Sequence, residues 1–158
     1  QLVWQDTDLV FDPAAPVGES LREVYRAALP HLDKQTRWTL AGELLARFHL
    51  PERVLWSSPG QLSGGERRRV ALARALAVFG YPHPDAISKP TLPRVMILDE
   101  PTVGVDVFLQ AEIATILLEA QAQLQLTYLV ISHDQRFVNR FCTACSIDWP
   151  PDLKETLP

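Results

Sequence analysis

No glycine in this chain is followed by lysine, and only three lysines occur: Lys34, Lys89 and Lys154. A P-loop needs G-x-x-x-x-G-K-[ST] between a strand and a helix, so this sequence contains none. Gly60 and Gly65 have the glycine spacing, but Glu66 and Arg67 stand where Lys and Ser/Thr are required, and a carboxylate there would repel phosphate. Cysteine is equally scarce. Cys142 and Cys145 form a single C-x-x-C, with no second Cys/His pair at zinc spacing and no thioredoxin-like context. They read as incidental thiols in a reducing cytoplasm. No apolar run approaches membrane-spanning length, and no signal peptide, internal repeat, low-complexity segment or heptad pattern is visible. The net charge of −4 argues against a nucleic-acid partner held through its phosphates. The densest basic cluster, Arg67 to Arg69, points in different directions on a helix and reads as a solvated face with some partner contacts.

What is present describes one globular domain with a real core: 158 residues, 47% hydrophobic and 22% charged. The chain starts at Gln1 and runs straight into apolar Leu2-Val3-Trp4, so we expect a piece of a longer protein. Leu2 to Trp4 reads as a strand end. Phe11 to Pro16 is too proline-rich for helix. Ser20 to Ala28 reads as a short helix with a Ser20/Glu23 capping box, Asp33 to Phe48 as a second helix, and Pro51 to Gln61 as loop. Phe79 to Pro93, with four prolines and a glycine, is expected to be an exposed, mobile insertion. His83 lies in it with nothing nearby to make it a ligand.

The chain is organised around Leu62-Ser63-Gly64-Gly65-Glu66-Arg67-Arg68-Arg69-Val70-Ala71-Leu72-Ala73-Arg74-Ala75-Leu76-Ala77. Ser63 and Glu66 have capping-box spacing, so a helix should start at Ser63-Gly64-Gly65. Its first N–H groups lack partners and carry partial positive charge. Two glycines remove the side chains that would hold a phosphate away. The bland reading is an ordinary capped helix.

Downstream, Arg94-Val95-Met96-Ile97-Leu98 reads as a buried strand ending in Asp99-Glu100-Pro101-Thr102. Asp106 caps a helix to about Gln125, with Leu109, Ile113, Ile116, Leu117, Ala120 and Leu124 as its buried stripe. Tyr128 to Ile131 is a second buried strand, ending in Ser132-His133-Asp134. Strand, helix, strand is the parallel crossover, and ligands of such sheets sit at the carboxyl ends of the strands. Asp99, Glu100 and His133 all fall there. Solvated loop charge and a bystander histidine are the bland alternatives.

The string Leu62 to Leu76 resembles the signature motif of ABC-type ATPases, and Val95-Met96-Ile97-Leu98-Asp99-Glu100-Pro101-Thr102 resembles their Walker B motif. The resemblance implies an α/β fold: a partial P-loop-NTPase-like parallel sheet with helices, plus a mainly helical subdomain. It implies that residues 1–61 hold the Q-loop and helical subdomain. Residues 62–148 hold the signature helix, Walker B, D-loop and switch histidine, interrupted by the 79–93 insertion, and 149–158 form a tail. Its cofactors are ATP and Mg2+. Ser63, Gly64 and Gly65 would cap the γ-phosphate held by an opposing subunit, with Glu66 where the family usually has Gln. Asp99 would serve magnesium and Glu100 would polarise the attacking water. His133 matches the switch histidine, and Gln5 the Q-loop glutamine near magnesium. Asp106 matches the D-loop aspartate, although Val103-Gly104-Val105 departs from the usual Ser-Ala-Leu.

Asp106-Val107-Phe108-Leu109-Gln110-Ala111-Glu112-Ile113, Leu126-Thr127-Tyr128-Leu129, Ser132-His133-Asp134 and Arg140-Phe141-Cys142 are similar to the ATP-binding subunits of oligopeptide, dipeptide and nickel importers. That likeness implies transmembrane permease partners, a second ATPase subunit in a head-to-tail dimer, and a cytoplasmic place at the inner face of the cell membrane. The P-loop would then lie before Gln1. Two rivals are a degenerate module that lends its signature without hydrolysing ATP, and a DNA-repair-type ATPase. The latter is disfavoured because no coiled coil precedes the signature.

Overall fold

The computed structural model describes residues 2–3, 11–87 and 94–141. Gln5, Cys142, Cys145 and the 149–158 tail lie outside them, as does the 88–93 part of the insertion. The elements run β1 (Leu2–Val3), α1 (Val17–Ala28), α2 (Lys34–Arg47), α3 (Arg53–Trp56), α4 (Gly64–Ala77), β2 (Arg94–Asp99), α5 (Val107–Leu124), β3 (Leu126–Ile131) and α6 (Gln135–Phe141). The three strands form one parallel sheet in the order β1-β2-β3. The fold is therefore α/β, a small parallel sheet joined to a mainly helical part.

The central helix is α4. Val70 to Ala73 and Ala75 to Ala77 are all buried, as expected of a helix that is apolar nearly all round. Arg68 goes inside with them at 4% exposure. Arg69 donates from Nη1 to the Phe48 and His49 carbonyls at 3.0 and 2.7 Å. The arginine cluster is thus built into the structure and is no solvated face, because the helix carrying it has little free surface.

The first helix starts three residues before the expected Ser20. Pro16, with φ −60° and ψ 147°, is its N-cap, and the Val17 N–H donates to the Ser57 carbonyl at 3.0 Å. The Ser20/Glu23 box does not form, since Ser20 already lies in the second turn, where its hydroxyl accepts from Arg74 Nε at 3.2 Å. Gly18 is required by close approach: a Cβ there would lie 2.3 Å from the Trp38 ring and 2.7 Å from the Leu55 carbonyl oxygen. For α2, Asp33 is the cap, accepting from Thr36 N at 2.8 Å. Residues 51–61 are more ordered than a plain loop, holding α3 and a 3-10 turn over Pro59–Gln61.

The insertion also differs from expectation in its described part. Tyr81 is 1% exposed and Ala86 is buried. The buried Tyr25 hydroxyl donates to the Tyr81 carbonyl at 2.5 Å, and Pro84–Ile87 forms a 3-10 turn. Prolines break regular structure there, but the aromatic ring still needs burial.

In the sheet, Met96 and Leu98 of β2 and Leu126 of β3 are buried, with Tyr128 and Val130 partly so. The Tyr128 hydroxyl reaches the Leu117 carbonyl on α5 at 2.8 Å, placing α5 over this face. On the opposite face Val95, Leu129 and Ile131 are exposed. Both strands expected to be fully buried are therefore buried on one face only, following the two-residue period of a strand.

Candidate functional site

Register brings the acids and the histidine together. Asp99 pairs with Ile131, so in parallel strands the next residues, Glu100 and Ser132-His133, leave the sheet side by side. The Glu100 N–H donates back to the Ile131 carbonyl at 2.8 Å. Glu100 has φ +46°, a left-handed conformation that few non-glycine residues adopt and that clusters at functional sites. Its carboxylate is held from three directions. Oε1 accepts the His133 backbone N–H at 2.9 Å and lies 2.6 Å from His133 Nδ1, while Oε2 accepts the Ser132 hydroxyl at 3.1 Å. The Glu100 side chain is 15% exposed and that of His133 is 80% exposed. One carboxylate is thus fixed at the sheet edge with an exposed imidazole beside it, an arrangement suited to accepting a proton from a reactant.

Asp99 lies at the end of β2, partly buried. Buried Arg68 comes near both acids: burial pushes its guanidinium pKa down, and the charges of Asp99 and Glu100 oppose that. Sequence reading missed Arg68 because three consecutive arginines do not reveal which one faces inward. No group of three or more His, Cys, Asp or Glu that could hold a metal exists among the described residues. Asp99 alone fits the donor set magnesium uses with nucleotides, one or two carboxylates completed by phosphate and water.

The loop from Pro101 to Asp106 leads from the acids to α5. Buried Thr102 and Val105 anchor it, and Gln110 Nε2 donates to the Val105 carbonyl at 3.1 Å. Asp106 caps α5, accepting from Leu109 N at 3.0 Å. Gly104, with φ +76°, turns its carbonyl toward the signature turn: a Cβ on Gly65 would come within 3.2 Å of that oxygen.

The signature turn itself is capped at both atoms of the expected box. Ser63 Oγ accepts from Glu66 N at 3.2 Å, and Glu66 Oε2 accepts from Ser63 N at 2.9 Å. Glu66 is 8% exposed, and its Oε1 pairs with Arg53 Nη2 at 2.5 Å. The Ser63 amide foremost, then the Ser63 hydroxyl and Arg53, hold its carboxyl below the ordinary range despite burial. Ser63 and Gly64 are exposed. The N–H groups of Gly64 and Gly65 stand at this helix start, where amides have no intrahelical partner. The structure thus brings Glu100, His133 and Asp99 to one edge and sets Ser63, Gly64 and Gly65 at an exposed helix start beside the Gly104 loop. Gln5 lies outside the described residues.

No protein-family model matches the chain. The nickel import ATP-binding protein NikE of Escherichia coli (strain K12) is 39% identical over 142 residues, 90% of this chain and 48% of the relative. The NikE proteins of Shigella boydii and Shigella sonnei match at the same identity and coverage. The chain therefore spans about half the length of these curated relatives. Among solved structures, the dimeric bacterial ABC transporter cassette MJ0796 aligns with a TM-score of 0.70 at 26% identity, covering 88% of this chain and 54% of that one. A post-hydrolysis state of MJ0796 bound to ADP and Pi aligns equally well. No helix among the described residues is long and apolar enough to cross a membrane. Sequence and structure agree that this chain has the pattern and fold of an ABC transporter ATP-binding subunit, over a span equal to about half of one.

Proposed function

We propose that the chain contributes to ATP hydrolysis that drives import, with nickel or a peptide as cargo. The observation that carries this reading is the fixed Glu100 carboxylate with His133 Nδ1 at 2.6 Å, at the strand end where an in-line water would be polarised. In this role Glu100 takes the proton of the attacking water. His133 and Ser132 hold its two oxygens in place. Asp99 would hold magnesium, which when bound neutralises phosphate charge. Ser63, Gly64 and Gly65 would cap the γ-phosphate of ATP bound to an opposing subunit, through the exposed Ser63 side chain and the helix-start N–H groups of Gly64 and Gly65. Glu66 serves that cap from behind, since both of its oxygens are already engaged. Asp106 supports the same interface through the loop it terminates.

The nickel cargo rests on the NikE relatives alone, and the opposing subunit on the dimeric MJ0796 cassette. A permease would bring the protein to the inner face of the cell membrane. A groove of about 870 Å3 between α2 and α3, lined by Leu45, Leu50, Leu55, Trp38 and Trp56, is the surface best suited to it. Trp56 is 62% exposed there and stacks on Trp38 at 5.1 Å. The second reading is a module that lends its signature turn to a partner subunit and hydrolyses nothing itself.

One experiment separates the two. In a complex that supplies a P-loop, Glu100→Gln keeps the shape and the Ser132 and His133 donors but removes the base. Turnover at the site this chain lines should fall by roughly 10²–10⁴-fold, with ATP affinity retained. Turnover unaffected by Glu100→Gln would favour the non-hydrolysing module.

A further inference from the structure

Helix α2 ends in a Schellman turn. The His49 N–H donates to the Ala46 carbonyl and the Leu50 N–H to the Leu45 carbonyl, both at 3.0 Å. Such a turn needs a left-handed residue, usually glycine or asparagine. Here it is histidine, with φ +53°. Histidine tolerates this region better than most residues but not as well as glycine, so the imidazole needs a reason to be there. Its Nε2 lies 2.5 Å from Glu112 Oε2 on α5. Its carbonyl accepts Arg69 Nη1 from α4 at 2.7 Å, and Arg69 Nε also donates to the Gly65 carbonyl at 3.3 Å.

These contacts close a circuit. From Gly65 it runs through Arg69 to His49, across to Glu112, along α5 to Gln110, and through the Val105 carbonyl to Gly104, whose oxygen faces Gly65. We propose that His49 is a positioning residue, a clasp between α4 and α5 that sets the gap between the Ser63–Gly65 turn and the Gly104 loop. Both partners are partly exposed, at 49% and 34%, and such pairs add little to stability. The pair acts on geometry. It does so because the turn and the loop belong to different helices, α4 and α5. The effect on hydrolysis rests on the reading of Ser63–Gly65 as a phosphate cap, whereas the effect on the gap does not.

The test compares His49→Gly and Glu112→Ala in this chain by hydrogen exchange and thermal unfolding. His49→Gly relaxes the backbone and removes the imidazole, so its Tm should hold or rise. Exchange at 63–66 and 102–106 should nevertheless quicken, on the order of tenfold, in both variants. Unchanged exchange in either variant, or an increase spread evenly along the chain, overturns the clasp. His49→Lys again offers Glu112 a nitrogen donor on the same strained backbone and must exchange as the native chain does; faster exchange there also overturns the clasp. In a complex that supplies a P-loop, His49→Gly should lower kcat with little change in KM for ATP. If exchange responds as expected and kcat does not, the clasp stands and the phosphate-cap reading fails.

Discussion

Glu66 joins two duties that a surface carboxylate could not combine. It accepts the Ser63 N–H and so fixes the start of α4, and it pairs with Arg53 at the start of α3. Its carboxyl is held below the ordinary range, chiefly by the Ser63 amide. A carboxyl depressed by folding contributes stability that is present above its unfolded value, about 4.3, and is lost as pH falls through the folded value. Acid should therefore loosen the signature turn from about pH 4.3 downward. Glu66→Gln keeps an oxygen for the Ser63 N–H and should remove that part of the acid sensitivity. Glu66→Ala removes the box and should cost about 1–2 kcal/mol at pH 7. Urea unfolding of the three chains at pH 7 and pH 4 measures both effects. Equal losses for Gln and Ala at pH 7 would show that charge, and not the box, matters here.

The elements legible in the sequence were those whose local signals agreed with their packing. Ser63 and Asp106 cap the helices they were expected to cap, because the acceptor, the spacing and the apolar stripe all pointed one way. Asp99, Glu100 and His133 could be placed together because two strand ends in a parallel crossover share an edge. The misreadings came from contacts between segments distant in sequence. Ser20 has the spacing of a cap, but the Ser57 carbonyl and Pro16 set the start earlier. Arg68 gave no hint of burial, because only the all-round packing of α4 turns it toward the acids.

The loop after α4 is the plainest case. Its prolines suggested a dispensable insertion, yet Tyr81 is buried, accepts the Tyr25 hydroxyl at its carbonyl, and receives Arg47 Nη1 at its own hydroxyl at 3.2 Å. Tyr81→Ala should then cost about 3–5 kcal/mol, read as a shift of the urea midpoint. A loss below about 1 kcal/mol would return this loop to the class of tolerant surface segments.

Taken together, the chain presents acceptors and a few donors to a nucleotide, but no cradle. Asp99 and Glu100 repel phosphate unless a cation intervenes, and the net charge of −4 adds to that. The groups that favour phosphate are the helix-start N–H groups of Gly64 and Gly65, the exposed Ser63 beside them, and His133 at the strand end. A P-loop would add a nest of backbone N–H groups and a lysine around the β- and γ-phosphates, and this sequence has neither. On the reading proposed above, the two halves of such a site would come from different subunits. We therefore expect this chain alone to bind Mg-ATP no more tightly than about 1 mM, a binding free energy of about −4 kcal/mol. Isothermal calorimetry should give no saturable heat at micromolar ATP. When a P-loop-bearing cassette with its own signature serine replaced is added, affinity should appear, and it should fall again with Ser63→Arg, whose bulky side chain fills the space at the helix start. One-to-one binding by the chain alone at micromolar ATP would mean that another surface grips the nucleotide, and the composite site would have to be abandoned.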